Sequence, residues 1–140
     1  MLKLLSELFS ELSSLIELTS VDITEIIGML AEREQFFQLK FLKNMVSHFF
    51  AGCNIREIWC DSVMNIREIY FPYGRGTELL LSFSECLGKY SKKEFNEKCK
   101  GYSSEFLRLW EKEEEKWEKN RTLVSISGTL AAAFVFLTFI

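Results

Sequence analysis

The chain has 140 residues, with 17 Lys and Arg against 20 Asp and Glu for a net charge of -3, and it is 48% hydrophobic and 14% aromatic. That apolar share is far above what a disordered chain carries, and the absence of a basic stripe interleaved with aromatics excludes the usual electrostatic footprint of a nucleic-acid binder. One proline and seven glycines suit long helices better than a turn-rich sandwich or barrel.

Leu2, Leu5, Leu8, Phe9, Leu12, Leu15 and Ile16 recur at steps of three and four, which places them on one face of a first helix. The same alternation with polar residues separates this segment from a signal peptide or a span, and no N-terminal targeting segment is expected. Asp22 with Glu25 has the form of a helix start box, and Ile23, Ile26, Ile27 and Leu30 give a second apolar face. From Glu34 to Phe50 the apolar residues cover most of the circumference, so one central core helix is expected there. Gly52 interrupts the pattern and Asn54 with Glu57 restarts it, with Ile55, Ile58, Trp59, Val63 and Ile66 as the next face.

The segment Tyr70 to Gly76 contains Pro72 and two glycines and is expected as a loop. Leu79, Leu80, Phe83 and Leu87 form a fifth helix capped at Gly88, and Ser91 with Glu94 opens a long sixth. In that helix Phe95, Cys99, Tyr102, Phe106 and Leu109 follow the four-three alternation of a packing seam, before a charged run from Glu111 to Lys119.

Thr122 to Ile140 is a run of nineteen residues without a charge, an amide or a proline. As a helix it is about 28 Å long, close to the hydrocarbon thickness of a bilayer. Lys116, Lys119 and Arg121 precede it and nothing charged follows, which places the preceding domain in the cytosol behind a C-terminal anchor. Trp117 is near enough to sit at the membrane interface. Ser127, Gly128, Ala131 and Ala132 form a small-residue face of the type that lets two membrane helices approach closely. The expected fold is all-α: a bundle of about six helices continuing into one C-terminal transmembrane helix. Its parts are a cytoplasmic bundle over 1–110, a charged juxtamembrane neck over 111–121 and the membrane helix over 122–140.

The residues supply little chemistry. The only histidine, His48, stands among phenylalanines and a valine, and no second close pair of ligands joins His48 and Cys53 to make a zinc site. Cys53, Cys60, Cys86 and Cys99 contain no C-x-x-C pair and are expected as buried free thiols, in keeping with a reducing compartment. The glycines of Tyr73-Gly74-Arg75-Gly76 lack the Gly-Lys-Ser/Thr ending of a phosphate loop. The expectation is therefore no catalytic residue, no cofactor, no metal and no small-molecule substrate, with function through protein binding. Trp59, Tyr73 and Arg75 are the candidate partner surface, because Trp and Arg are favoured in interfaces and a loop on a rigid bundle displays them.

Gly52 with Trp59, Leu79 to Leu81 leading to Leu87-Gly88, the neck Trp110 to Arg121 and the span around Gly128 together resemble the stage III sporulation protein AB family of endospore-forming bacteria, over nearly the whole chain. The chain departs from that family's pattern at Ser91 and Phe95, where Asp and Gln are usual, and at Val124, where the span's first glycine is expected. The family also usually begins with a short membrane segment, and this chain starts where that segment would end: either the start is truncated or this member is anchored only at its C-terminus.

The resemblance implies a membrane component of the mother-cell half of a channel linking mother cell to forespore. It also implies a domain similar to the cytoplasmic helical domain of the type II secretion inner-membrane platform protein. A secretion-type ATPase and polytopic membrane subunits are the partners it implies. A competing reading is a tail-anchored helical groove protein of the apoptosis-regulator type, binding amphipathic helices, since Tyr73-Gly74-Arg75 followed by Leu81-Ser82-Phe83 is similar to one of those proteins' motifs. Its second motif, with paired Trp and Gly downstream, is missing. A membrane-bound enzyme is the third reading and requires turnover or a bound metal.

Overall fold

The computed structural model describes the backbone of residues 1–70 and 74–139, with side chains over 1–65 and 74–138. Among them are six α-helices and no strand: α1 (Leu2–Leu18), α2 (Ile23–Ala31), α3 (Lys40–Ser47), α4 (Ile55–Tyr70), α5 (Arg75–Phe83) and α6 (Lys92–Phe139). Two compact units result, Met1–Leu109 and Trp110–Ile140.

In the first unit the periodicity of α1 becomes burial, with Leu2, Leu5, Leu8, Phe9, Leu12 and Ile16 all in the core. Full burial of each such side chain stabilises by about 1.5–3 kcal/mol before entropy is counted. Thr19 ends α1 by turning extended, and its amide and hydroxyl both donate to the Leu15 carbonyl oxygen. The three start signals act as caps. Asp22 accepts from the Ile23 amide at 2.9 Å, Asn54 from the Arg56 amide at 3.2 Å, and Ser91 from the Glu94 amide at 3.3 Å. Each satisfies a first-turn donor that the helix itself leaves open. Gly52 and Gly88 take φ of +78° and +75°, the left-handed conformation that turns the chain after α3 and before α6.

The expected central helix over Glu34–Phe50 is not continuous. A 3-10 turn (Glu34–Phe36) is followed by a break at Leu39, at φ -84° and ψ 76°, before α3 begins. The reason is geometric: Phe36 and Met45, nine residues apart on one helix, would point about 180° away from each other. The break lets Phe36, Leu39, Phe41, Leu42 and Met45 all enter the core. It also leaves Phe37, Val46 and Phe50 exposed, so this segment is two-sided rather than surrounded.

The loop expected over Tyr70–Gly76 is shorter. Tyr70 closes α4, Gly74 is the extended residue before α5, and Arg75 and Gly76 are already helical. Gly76 and Thr77 are buried there, small enough for the first turn of α5 to pack closely. Residues 71–73 and the Ile66 side chain lie outside the described residues. After α5 a second 3-10 turn (Ser84–Cys86) leads to Gly88, so the fifth helix ends earlier than its apolar pattern implies.

Rings fill the centre. Phe9 of α1 packs against Phe83 at 4.7 Å edge-on, Phe106 at 5.4 Å stacked and Tyr102 at 5.7 Å, while Trp59 packs on Phe83 at 4.9 Å and Phe41 at 5.4 Å. The seam on α6 is real: Phe95, Cys99 and Phe106 are buried, with Tyr102 and Leu109 half-buried. Polar pairs tie α1 to α6. The Ser6 hydroxyl donates to the Ser103 carbonyl and the Ser103 hydroxyl to the Ser6 carbonyl, each at 2.8 Å, and the buried Ser13 hydroxyl donates to Asn96 Oδ1.

Candidate functional site

The second unit continues as helix, and its described residues from Glu111 to Thr138 are all exposed. Leu123, Val124, Ile126, Leu130, Phe134, Val135, Phe136 and Leu137 present their side chains outward with nothing packed on them. An 18-residue window has mean hydropathy 1.5 and no buried residue, enough length and apolarity to cross a membrane. An exposed apolar surface of this extent marks an interaction site, and the segment fits membrane anchoring. Ser127, Gly128, Ala131 and Ala132 lie in it, exposed, and a Cβ placed on Gly128 meets nothing within 4 Å. Lys116, Lys119 and Arg121 are exposed on the turns before it, and Trp117 is 74% exposed.

Of the three residues expected at a partner surface, Trp59 and Arg75 take different environments. Trp59 is 1% exposed and its indole N–H is consumed by the Leu80 carbonyl oxygen at 2.6 Å, so it belongs to the core and offers no contact surface. Its size, which makes Trp a common interface anchor, makes it equally a core filler. Tyr73 lies outside the described residues. Arg75 is on the surface, with its guanidinium 3.2 Å from Glu78 one turn along α5.

Polar and nucleophilic groups are spread rather than gathered. His48 caps α3 at the surface, its Nδ1 2.7 Å from the Asn44 carbonyl oxygen and 3.1 Å from the Ser47 hydroxyl. All four cysteines are free thiols; Cys86 and Cys99 are buried, whereas Cys53 and Cys60 are only half-buried, against the expectation of burial for all four. Loss of water pushes the Cys99 thiol up to about 12, with the neighbouring Cys86 adding to it, and burial raises Cys86 and the Tyr102 phenol as well. Cys86 and Cys99 are therefore neutral thiols at physiological pH, the inert form. Among the described residues no group of three or more His, Cys, Asp or Glu side chains is placed to hold a metal.

One concavity was not legible in the sequence. A groove of about 490 Å³ opens where the α1–α2 connection meets the start of α6, lined by Ile16, Val21, Ile26, Leu87, Tyr90 and Phe95 and crossed by Lys92, whose Nζ donates to the Thr19 carbonyl oxygen at 2.8 Å. Its wall comes from two stretches of chain far apart in sequence, 16–26 and 87–95, so no single periodicity announces it.

A helical bundle joined in one chain to a helix long and apolar enough to cross a bilayer defines an all-α protein whose C-terminal helix fits membrane anchoring. The stage III sporulation protein AB family matches residues 1–140, and the chain belongs to that family. Membership places it among sporulation proteins. No curated protein and no solved structure matches it.

Proposed function

We propose that this protein is a non-enzymatic, membrane-anchored subunit of the channel complex between mother cell and forespore, acting by binding other proteins. The observation that carries this reading is the family match along the whole chain; the unburied apolar helix supports the anchor. The bundle faces the cytosol of the mother cell, a reading supported by Lys116, Lys119 and Arg121 bordering the apolar segment on the bundle's side. Its partners are a secretion-type ATPase and polytopic membrane subunits, and the bundle serves the role of the cytoplasmic helical domain in a type II secretion platform. With Trp59 in the core, Arg75 and the adjoining surface of α5 remain the candidate contact.

Deletion of the gene in its host tests the reading, scored by microscopy and by forespore-specific transcription after engulfment. Arrest after engulfment with late forespore transcription lost is expected; normal spores would overturn the channel role. Arg75→Glu is expected to weaken recovery of partner subunits in pull-down while the bundle stays folded, and unchanged recovery removes Arg75 from the contact.

A further inference from the structure

From Gln35 to Arg56 the chain holds no acidic residue, although it carries 20 Asp and Glu in 140 positions. In the same stretch stand Lys40, Lys43, His48, Arg56 and five phenylalanines. The break before α3 turns part of this stretch outward. Lys40 and Lys43 are exposed, Lys43 Nζ lies 4.4 Å from the Phe37 ring centroid, and Val46 follows one turn on. Beyond the helix the turn Phe49–Gly52 carries Phe50 at 69% exposure, with Gly52 at positive φ allowing the chain to fold back behind it. The acids nearest in sequence are Glu32, Glu34 and Glu57; α2, which packs on α3, carries Glu25, and Asp61 of α4 lines a shallow hollow with His48 and Asn44. Arg56 is turned inward to the Leu87 carbonyl oxygen at 3.2 Å and takes no part in the surface.

We infer that the exposed residues of this acid-free stretch, Phe37, Lys40, Lys43, Val46 and Phe50, dock on an anionic lipid surface. Exposed aromatic rings beside lysines, with no carboxylate among them, match the boundary of such a bilayer: the rings enter the acyl edge and the ammonium groups meet the headgroups. In water Lys43 covers the Phe37 ring; at the membrane the ring buries and Lys43 swings to phosphate. The inference rests on the anchoring read above only in that an anchor keeps the bundle near lipid.

The full chain in phosphatidylcholine vesicles is compared with the same chain in vesicles of one third phosphatidylglycerol, by hydrogen exchange of peptides covering residues 37–54. Exchange is expected to slow in the anionic vesicles alone, with protection falling by about fivefold for each lysine removed in Lys40→Glu and Lys43→Glu. Phe50→Ser, a change at an exposed site, is expected to reduce it too. Equal exchange in both lipids overturns the inference, as does protection that appears only on adding a mother-cell protein extract. Flotation separates this from the anchoring reading: a chain that fails to float with phosphatidylcholine vesicles sinks the anchor, and its recovery on phosphatidylglycerol vesicles alone would still support docking.

Discussion

The Trp59 indole N–H donates to the Leu80 carbonyl oxygen at 2.6 Å, joining α4 to α5 inside the ring cluster formed with Phe9, Phe41 and Phe83. Trp59→Phe keeps most of the ring contacts and removes the donor, at an expected cost of about 1–3 kcal/mol. Trp59→Ala empties the site and is expected to cost about 3–5 kcal/mol. Urea unfolding followed by circular dichroism ranks the two, and equal midpoints for both would show that the hydrogen bond, not the volume, matters.

Ser13 and Asn96 are a buried polar pair with their hydrogen bond directed from α1 to α6. Asn96→Leu strands the Ser13 hydroxyl and is expected to destabilise by about 1–3 kcal/mol. Adding Ser13→Ala should recover part of that loss, because both polar groups are then gone. A double-mutant cycle without coupling would contradict the pairing.

Two glycines should respond with opposite signs. Gly88 has φ of +75°, so Gly88→Ala is expected to cost about 1 kcal/mol although nothing crowds the new methyl group. Gly101 lies inside α6 with open space at its Cβ, and Gly101→Ala is expected to stabilise by about 0.5–1 kcal/mol. Thermal midpoints of the two variants moving in the same direction would refute this.

Alkali should loosen the bundle through Cys99. Its folded thiol titrates at about 12 against an ordinary 9.0, so the unfolded chain releases that proton first. The stabilising contribution is whole below pH 9 and is lost as pH rises from there towards 12. Cys99→Ala should flatten the fall of stability across that window, read from urea midpoints at stepped pH; an unchanged slope would remove Cys99 as its source.

Charges placed in the apolar helix should abolish membrane retention. Leu130→Arg with Phe134→Arg adds about 3 kcal/mol each at the centre of a span. Carbonate extraction is expected to move the variant from pellet to supernatant, and full retention would argue that the segment does not cross.

Most helices were legible because their apolar spacing was unambiguous: Leu5, Leu8, Phe9 and Leu12 could face only one way, and Asp22, Asn54 and Ser91 each marked a start. The apolar C-terminal helix was legible from composition alone. The segment Glu34–Phe50 was not, because apolar residues on every side of a helical wheel describe both a surrounded helix and a broken one with an exposed face. The break at Leu39 and the exposure of Phe37, Val46 and Phe50 decide between them. Trp59 shows why contact surfaces are harder to read than cores: the residue type favoured in both places carries no sign of which it occupies. The groove under Val21 and Tyr90 is assembled from residues distant in sequence and had no local signature.

The bonds of Ser6 with Ser103 and the stacking of Phe9 on Phe106 each connect residues 97 positions apart. During synthesis at about 5–20 residues per second, α1 therefore waits on the order of ten seconds for these α6 partners to exist. Throughout that interval the part of its apolar side that packs on Phe106 and Ser103 is uncovered. The nascent chain is open to chaperones or to a bilayer until the last helix arrives, and closing so long a loop makes assembly of the bundle a late, cooperative event.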